Sequence, residues 1–593
     1  MVSVLFKNIV FSPLIELPVH DLSRRCIRHI NHANDSISLA RGGVRSPISM
    51  SLSGTRSRGV VDIAFNPIQE VHMIQRKRIL FSVVLIVALF ASIWMMNLTS
   101  VQAAPKPTPT PIPTLPTPLP PGTYYVSVSG SDNDSGTVSL PWRHIQYALD
   151  HVGAGSTVNV LTGVYDEKVT FPRSGTSGNY IVLQNYAGNS PVIDGTGVSI
   201  SGETGLVTIE NKQYVKLIGF EIRNLKAGGV SSAFPQGISV RGNGAFIEIR
   251  NNKVHDIENS CRHCGAHGIA VYGRDPNASI HDLIIDGNEV YNGQFGWSES
   301  MVLNGNVEFF TVSNNIVHDN DNIGIDFIGF EGENPDPALD RARDGAVVGN
   351  LVYNIDSFGN PAYGNERSAG GIYVDGGTRI VIERNIVHDS NLGVELGSEH
   401  AGRNTSFVTL RNNFFYNNTQ TGIAFGGYDK RRGSTENCVI VNNTLYNNFT
   451  QRDWGGEIYI QFDTRNNLVK NNIIFAHDGR LFINNWSSVM TGNVIDRNLF
   501  FAVGGGSNGT WVWHNIYYTT FAAYQSASGN DGTSLIGLDP LLVNPTSGDL
   551  HINTGSPAIN AGENLPSSQI GTVDIDGNAR IINGTVDLGA DER

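Results

Sequence analysis

A short motif built around asparagine recurs along most of the chain, and it limits the folds that are open to the sequence. Each copy is a run of apolar and β-branched residues such as IEIRNNKVHD or IVIERNIVHD, and consecutive copies are 26 to 36 residues apart. The repeated asparagines are Asn252, Asn288, Asn315, Asn350, Asn385, Asn413, Asn443, Asn472 and Asn498. Between them lies a second short strand, which begins at Gly237, Gly268, Gly324, Gly371, Gly393, Gly422 and Glu457. Repeats of this length with two or three short β-runs indicate a solenoid.

The variable spacing favours one kind of solenoid. A leucine ladder and a helical period of 3.6 residues are both missing from the sequence, which argues against leucine-rich and helical repeats. Loops of unequal length between strands that keep register are typical of a parallel β-helix, in which each turn stacks about 4.8 Å above the last. We therefore predict an all-β fold, a single-stranded right-handed parallel β-helix over residues 122–525.

Two columns of polar and aromatic residues are expected to stack along this β-helix. The repeated asparagines should form a ladder of side-chain amides that bond to the turns above and below. The residues three positions later are predicted to form a stacking row rather than a set of metal ligands. They are His255, Tyr291, His318, Tyr353, His388, Tyr416 and Tyr446.

A short capping helix is predicted ahead of the repeats. In PWRHIQYALDHV the apolar residues Trp142, Ile145, Leu149 and Val152 have helical spacing, and glycines follow at once. A helix at this end would cover strand edges that otherwise invite aggregation.

The entry segment TYYVSVSGSD with this helix resembles that of bacterial pectate-lyase-like proteins, including polysaccharide lyase family nine. The likeness to the pectin-lyase-like superfamily extends over residues 122–525 and implies a β-helix that handles polysaccharides. The tail, residues 526–593, carries SPAINAG and VDLGADE and resembles the tail of many bacterial surface β-helix proteins. It is expected to cap the far end or to attach the protein to a surface.

The N-terminal part reads as an export segment. Residues 73–104 contain three basic residues, an uncharged apolar run and a small-residue end, which is typical of a signal peptide; a retained membrane anchor is the alternative. Residues 1–72 have no sustained period and stay unassigned, and a mis-called start is one interpretation of them. Residues 105–121 form a Pro/Thr-rich linker that favours an extended conformation. We expect a secreted or cell-surface monomer that contacts the cell envelope through its N-terminal segment or through the tail at residues 526–593.

Net charge restricts the kinds of partner that the chain can bind, and the cysteines raise the question of a metal site or a disulfide. The net charge is −13 and no basic stripe is visible, which argues against nucleic acid as a partner. Of the four cysteines, Cys261 and Cys264 lie in CRHCGAHG. That segment could be half of a metal site, but because export favours oxidation a local disulfide is the preferred interpretation.

The Gly-Ile strands supply the candidate site. When they are aligned, Asp326, Tyr373 and Glu395 fall in one outward column on consecutive turns, and Asp375 points the same way two residues beyond Tyr373. Asp326, Asp375 and Glu395 are therefore the candidate catalytic acid, base or nucleophile. Long charged loops follow these strands, and their side chains together with Tyr373 are expected to position a substrate: Glu399, His400, Arg343, Arg367 and Arg403.

Three functions remain open. Stacking places the Cα atoms of Asp375 and Glu395 roughly 8 Å apart and those of Asp326 and Glu395 roughly 10 Å apart, so either carboxyl pair could serve a glycosidase. The stretch Asn322-Ile323-Gly324-Ile325-Asp326 resembles the calcium segment of family nine lyases, which implies a lyase with calcium at Asp321 and Asp326. The lysine base implied by that resemblance would fall at Glu395, so hydrolysis without a required cofactor ranks first. A surface protein that binds glycan without cleaving it is the third alternative.

Overall fold

The computed structural model describes residues 115–477, 481–504 and 509–593. The predictions for residues 1–72 and for the export segment 73–104 lie outside these ranges, as does most of the linker. Within the described ranges, no helix has the length and apolar character needed to cross a bilayer.

The described chain is built almost entirely of short strands. In chain order they are β1 (Thr123–Val126), β2 (Thr157–Val160), β3 (Gly163–Tyr165), β4 (Val169–Thr170), β5 (Ile181–Asn185), β6 (Pro191–Asp194), β7 (Gly202–Ile218), β8 (Glu221–Lys226), β9 (Ala233–Arg250), β10 (Lys253–Glu258), β11 (His267–Gly273), β12 (Ile280–Asp286), β13 (Glu289–Tyr291), β14 (Met301–Gly305), β15 (Val307–Ser313), β16 (Ile316–Asn320), β17 (Ile325–Ile328), β18 (Arg343–Val348), β19 (Leu351–Ile355), β20 (Gly370–Asp375), β21 (Thr378–Glu383) and β22 (Ile386–His388). They continue as β23 (Leu392–Gly397), β24 (Asn404–Ser406), β25 (Thr409–Arg411), β26 (Phe414–Tyr416), β27 (Thr421–Phe425), β28 (Ser434–Glu436), β29 (Val439–Val441), β30 (Thr444–Tyr446), β31 (Gly456–Ile460), β32 (Thr464–Arg465), β33 (Leu468–Lys470), β34 (Ile473–Ala476), β35 (Leu481–Asn485), β36 (Met490–Thr491), β37 (Val494–Asp496), β38 (Leu499–Ala502), β39 (Thr510–Trp513), β40 (Ile516–Tyr518), β41 (Leu535–Ile536), β42 (Leu542–Asn544) and β43 (Asp549–Ile552). The helices are α1 (Ile145–His151), α2 (Phe521–Ser528), α3 (Ser567–Ile570) and a 3₁₀ turn at Pro545–Ser547.

Most of these strands stack in parallel into a right-handed β-solenoid of about 12 turns, which confirms the predicted fold. The exceptions are the antiparallel pairs β39–β40 and β42–β43. Three faces run along the solenoid. Face A contains the Gly-Ile strands β11, β17, β20, β23 and β27, together with β14, β31 and β35, which lack the Gly-Ile start. Face B contains β12, β15, β18, β21, β25, β29, β33 and β37, and the long strands β7 and β9 pass through both faces A and B. Face C is the separate 13-stranded sheet from β3 to β41.

Alternation within each strand places the core inside the coil. In β20, Ile372 and Val374 are fully buried in the core, whereas Tyr373 between them lies on the outer side of the sheet. The glycine at the start of each Gly-Ile strand has a steric reason. A Cβ built on Gly371 would lie 2.3 Å from Val387 Cγ1 on face C, so a side chain there would collide with the core.

The repeated asparagines form the predicted ladder. From Asn252 to Asn498, each side-chain amide donates to the carbonyl oxygen of the asparagine one turn on, at 2.9–3.0 Å. All nine side chains are at most 1 % exposed. The ladder satisfies backbone groups at the corner between faces B and C, which would otherwise be buried without partners.

The residue before each ladder asparagine adopts a left-handed conformation. Asn251, Asn314, Asn412 and Asn442 have φ between 53° and 56°, and Gly287 and Gly349 occupy the same position in other turns. Asparagine and glycine tolerate this region best. The Asn-Asn pairs of the sequence therefore combine a corner residue with a ladder residue.

The aromatic row is also present. His255, Tyr291, His318, Tyr353, His388 and Tyr416 stack face to face with ring centroids 4.6–5.2 Å apart and interplanar angles of 2–16°. Tyr446 continues the register, but it packs edge-on against Phe475. The predicted stacking row is therefore present from His255 to Tyr416, and Tyr446 departs from it.

The first turns are covered by helix α1. Ile145 and Leu149 of the helix are buried with Trp142 and Val152 in the main core, as the helical spacing predicted. The end of the Pro-rich linker lies against this cap, since Leu119 N donates to His151 O at 2.8 Å and Tyr124 Oη donates to Pro120 O at 2.7 Å.

The C-terminal tail packs along the side of the solenoid. Leu542, Leu550, Ile552 and Leu588 bury themselves against residues of face C such as Phe414, and Asn412 Nδ2 donates to Ile570 O at 3.0 Å. The tail begins on the last turn, where β41 pairs with β38 and Ser534 Oγ accepts a hydrogen bond from Asn498 N at 2.9 Å, and the rest of it covers a lateral strip of several turns. That the tail caps the far end stays a prediction. Surface attachment stays a prediction.

The cysteines follow the preferred interpretation of the sequence. Cys261 and Cys264 form a disulfide, and Cys438 is a buried free thiol.

Candidate functional site

Face A brings the candidate acids together. Asp326 on β17 lies in register with Tyr373 on β20, which in turn lies in register with Glu395 on β23. Asp375 lies two residues beyond Tyr373 on the same side of the sheet and pairs in register with Gly397. Residues scattered over 70 positions of sequence therefore occupy one patch on three consecutive turns.

This patch is covered by loops, although its side chains lie in the outward column that the sequence predicted. The exposed fractions are 2 % for Asp326, 3 % for Asp375, 5 % for Tyr373 and 8 % for Glu395. The loops after β17 and β23 fold back over the outer side of the sheet, and Glu399 N donates to Asp375 Oδ1 at 2.7 Å. The cover explains the low exposure, since these side chains point away from the core.

Further carboxyl groups join the four predicted residues. Glu331 comes from the loop after β17, where Asn304 Nδ2 donates to its Oε2 at 3.0 Å. Glu399 comes from the loop after β23, where Tyr428 Oη donates to its Oε2 at 3.2 Å. Glu299, two residues before β14, is 9 % exposed. We call Glu299, Asp326, Glu331, Asp375, Glu395 and Glu399 the acidic cluster.

Burial and mutual repulsion raise the pKa of carboxyl groups in the acidic cluster. Burial, reinforced by the charges of Glu299 and Asp375, raises the pKa of Asp326 well above its usual range. Burial, with Glu399 and Glu331, does the same to the pKa of Asp375. Glu331 is exposed as a residue while its carboxyl end is turned inward, and burial with the charge of Glu399 raises its pKa to about 7. The cluster therefore contains protonated carboxyl groups at neutral pH, and one member that ionises near neutrality.

One carboxyl oxygen of Asp326 accepts no hydrogen bond from a described residue. Its Oδ1 is buried and has no hydrogen-bond partner among the residues that the structure describes. A protonated carboxyl in this setting is a ready hydrogen-bond or proton donor.

A neutral histidine borders the cluster. Burial lowers the pKa of His267 to about 4, so its imidazole is uncharged at neutral pH. Its Nδ1–H then donates to the backbone oxygen of Glu299 at 2.9 Å, and Nε2 accepts the Tyr272 hydroxyl at 2.7 Å. This arrangement fixes the backbone of Glu299, and burial with the charge of Glu331 raises the pKa of the Glu299 carboxyl well above its usual range.

The predicted substrate-positioning residues divide into two sets. Glu399 and His400 lie beside Asp375, and Arg403 stacks over the ring of Phe330, 4.8 Å from its centroid, next to Glu331. Arg343 instead pairs with Glu308 at 2.7 Å on face B, and Arg367 lies over Phe358 in the loop before β20. The structure therefore brings Glu399, His400 and Arg403 to the cluster, and it does not bring Arg343 and Arg367 there.

Comparisons with known proteins agree with this fold. Residues 124–281 match the family described as a Pel9A-like, right handed beta helix region, and residues 346–522 match a right handed beta helix region. The uncharacterized protein YwoF of Bacillus subtilis is 40% identical over 435 residues, which cover 73% of this chain and 91% of YwoF. Pectate lyase PEL9 of Emericella nidulans is 32% identical over 112 residues, 17% of this chain and 27% of that protein.

The chain belongs to the pectin-lyase-like parallel β-helix superfamily. Among solved structures, pectate lyase Pel9A is 14% identical with a TM-score of 0.39, covering 80% of this chain and 96% of its own. The lacto-N-biosidase of Eubacterium ramulus is 14% identical with a TM-score of 0.43, covering 64% of this chain and 67% of its own.

Calcium at Asp321 and Asp326, which the resemblance to family nine lyases implies, stays a prediction. Asp321 Oδ1 accepts a hydrogen bond from Phe295 N at 2.7 Å, and Asn322 Nδ2 donates to the carbonyl oxygens of Gly296 and Ser298. Two groups of three potential ligands occur in the described ranges, and neither contains Asp321 or Asp326. One of these groups belongs to the acidic cluster: Glu331, Asp375 and His400 each place a ligand atom within 4.8 Å of the other two.

The sequence pattern predicts no catalytic role for Glu299, Glu331 or His267. Glu299 belongs to a turn whose face A strand reads MVLNG, so no Gly-Ile signature marks it. Glu331 stands in a loop whose path has no repeat, and His267 begins β11 ahead of the aligned positions. A search for acidic residues next to every face A strand would have found Glu299 and Glu331.

Proposed function

We propose that this protein cleaves a polysaccharide by acid/base chemistry of the glycosidase type in the acidic cluster of face A. The observation that carries the proposal is the convergence of Asp326 and Glu331 from one turn with Asp375 from the next, with the pKa of each carboxyl raised. Glycosidases need a carboxyl group that keeps its proton at working pH and a second one that can ionise beside it.

Asp375 and Glu331 fit these two roles. Asp375 is buried and holds its proton, so it is the proposed proton donor. Glu331 lies where the cluster meets solvent and ionises near neutrality, so it is the proposed base or nucleophile. Their carboxyl oxygens lie within 4.8 Å of each other, close to the separation of about 5–5.5 Å that retaining glycosidases use. Asp326 and Glu395 flank the pair in the proposed site, and Tyr373, Glu399, His400 and Arg403 position the sugar.

Charge favours a neutral glycan over a polyuronate in this reaction. Six carboxyl groups lie in the cluster, and a uronate would bring further negative charge against them. Hydroxyl groups of a neutral sugar can instead bond to carboxyl, phenol and imidazole groups.

A polysaccharide lyase is the second candidate, and the grouping of Glu331, Asp375 and His400 favours it. These three residues could hold a divalent cation such as calcium, which would offset the charge of a uronate. The set includes a histidine, however, and calcium prefers oxygen ligands, so the fit is better for a metal of mixed N/O preference. The face A position expected to carry a lysine base is Glu395, and this ranks the lyase second.

The test uses the full chain on a panel of neutral and acidic polysaccharides. We expect new reducing ends without unsaturated, ultraviolet-absorbing products, and a loss of at least about 100-fold in kcat for Asp375→Asn and Glu331→Gln. Glu333→Gln is the matched control, because Glu333 lies two residues from Glu331 but pairs with Arg274 at 2.7 Å. Its activity should stay within about twofold of wild type.

Other outcomes decide between the alternatives. Unsaturated products that disappear with a chelator would replace the hydrolase proposal with the lyase. Glycan binding without any cleavage across the panel would indicate a non-catalytic surface protein. Cleavage that survives Asp375→Asn, Glu331→Gln and Glu395→Gln would show that the acidic cluster is not the site.

Location outside the cytoplasm is part of the same proposal. It is supported by the export-like segment at residues 73–104 and by the Cys261–Cys264 disulfide, since disulfides persist in oxidising compartments. Fractionation of cells that express the chain, with an antibody against the β-helix, would test it.

A further inference from the structure

A second cluster of potential ligands lies in the C-terminal tail, on the face C side of the solenoid. His551 lies on β43, Asp576 lies in the turn at Asp574–Asn578, and Asp591 stands near the end of the sequence. Folding of the tail brings these three segments together, so that one ligand atom of each residue lies within 4.8 Å of the other two. His551 Nε2 and Asp576 Oδ2 are 3.2 Å apart.

The histidine is oriented as a metal ligand would be. His551 Nδ1 lies 2.6 Å from Asp549 Oδ1, and the edge of the ring packs against Phe414 with centroids 5.2 Å apart. A carboxylate that accepts Nδ1–H fixes the tautomer and presents the Nε2 lone pair, which is the usual arrangement around metal-bound histidine. His551 Nε2 is a buried atom with no hydrogen bond to any described residue, and it faces Asp576.

Backbone hydrogen bonds fix the carboxyl groups around His551. Asp591 is 7 % exposed, and its Oδ2 accepts a hydrogen bond from Ile552 N at 2.9 Å, one residue from the histidine. Asp574 is fully buried at the base of the turn that carries Asp576, where its Oδ1 accepts the Asp576 and Asn578 amides. Its Oδ2 has no hydrogen-bond partner among the described residues, and its charge acts on Asp591 together with that of Asp576.

The donor set indicates the class of cation. Zinc binds histidine nitrogen and carboxylate oxygen at about 2.0–2.2 Å, so two ligands at tetrahedral angles are about 3.4 Å apart. The 3.2 Å between His551 Nε2 and Asp576 Oδ2 fits this value. Calcium would prefer six to eight oxygen ligands, which a set containing His551 does not supply.

We propose that His551, Asp576 and Asp591 bind a divalent transition cation of the zinc class, which ties three segments of the tail together against face C. The site lies on the tail and is independent of the acidic cluster on face A. The ion would stabilise the native state because it has no preformed site in the unfolded chain.

The experiment uses the full chain without an oligohistidine tag, stripped with a chelator and then titrated with Zn²⁺, Co²⁺ or Ca²⁺. We expect one Zn²⁺ per chain, a visible Co²⁺ spectrum of N/O ligation, and a Tm that rises by roughly 2–3 °C at a hundredfold excess over Kd. His551→Gln and Asp576→Asn should each weaken Zn²⁺ binding at least tenfold. Asp576 is exposed, so Asp576→Asn keeps the test available if His551→Gln fails to fold.

His144→Gln is the matched control, because His144 Nδ1 also pairs with a carboxylate, Asp132 Oδ2 at 2.6 Å, and belongs to no group of three ligands. It should bind Zn²⁺ like wild type. Absence of stoichiometric Zn²⁺ or Co²⁺ binding would overturn the proposal. So would binding that both tail variants retain, or a response to Ca²⁺ alone, in which case His551 is an ion-pair partner of the surrounding carboxylates only.

Discussion

Removal of one amide from the asparagine ladder measures how strongly the ladder holds the turns together. Asn385 lies in the turn that carries Tyr373 and Asp375. Its Nδ2 donates to Val347 O, Glu383 O and Asn413 Oδ1, each at 3.0 Å, while its Oδ1 accepts the backbone and side-chain N–H groups of Asn350 at 2.9 Å.

Asn385→Ala should lower the free energy of unfolding by about 4 kcal/mol. The substitution leaves two buried N–H groups of Asn350 without an acceptor, and each unsatisfied group costs about 1–3 kcal/mol. Asn385→Asp keeps the volume but loses the amide donors, since aspartate donates no hydrogen bond when ionised and only one when protonated, so it should also be destabilising. The isosteric variant therefore separates hydrogen bonding from the cavity that alanine leaves.

Urea denaturation followed by circular dichroism and tryptophan fluorescence measures the loss. Asn354→Ala is the matched control, since Asn354 is exposed, has φ 52° and makes a single hydrogen bond to Asp319. Its cost should be about 1–2 kcal/mol, most of it from alanine in the left-handed region. A loss below about 1 kcal/mol for both Asn385 variants, or one equal to the control, would refute the view that the ladder stabilises the stack.

Two further perturbations test the charge and packing of the interior. Burial raises the pKa of Glu457 to about 8, so its contribution to stability is present below the unfolded value of 4.5 and is lost as pH rises through 8. In the wild type this group should lower the free energy of unfolding by roughly 3 kcal/mol between about pH 5 and pH 8, and Glu457→Gln should abolish that decrease. An unchanged dependence on pH in urea titrations of the variant would contradict this. Gly371→Ala should destabilise the chain by about 2–3 kcal/mol, because its Cβ would lie 2.3 Å from Val387 Cγ1. Val387→Ala should recover part of that loss in a double-mutant cycle, and strict additivity of the two changes would contradict the steric explanation.

The regular part of the fold could be predicted because every turn has the same structural requirements at its corner. Each corner needs a residue that tolerates a left-handed backbone and an amide that bonds up and down the stack, so Asn251 and Asn252 have equivalents in turn after turn. The same repetition fixed the register of Asp326, Tyr373 and Glu395.

The covering loops could not be predicted in this way. The segments around Glu331 and Glu399 have no counterpart one turn away, and their paths depend on single contacts such as Asn304 to Glu331. The burial of the acids, and with it their raised pKa, follows from those contacts and was invisible in the repeat. The position of the tail depends on pairs about 150 residues apart, such as Asn412 and Ile570, for which the sequence holds no periodic signal.

The corners of the solenoid keep their geometry while the loops between them vary in length. Consecutive ladder asparagines are 26 to 36 residues apart, yet the hydrogen bonds between them stay at 2.9–3.0 Å. Loops after the face A strands can therefore lengthen, shorten or be exchanged without moving the carboxyl groups beneath them. A library that grafts foreign loops between β17 and β18, or between β23 and β24, would alter which ligand reaches Asp326 and Asp375 while the scaffold keeps its geometry.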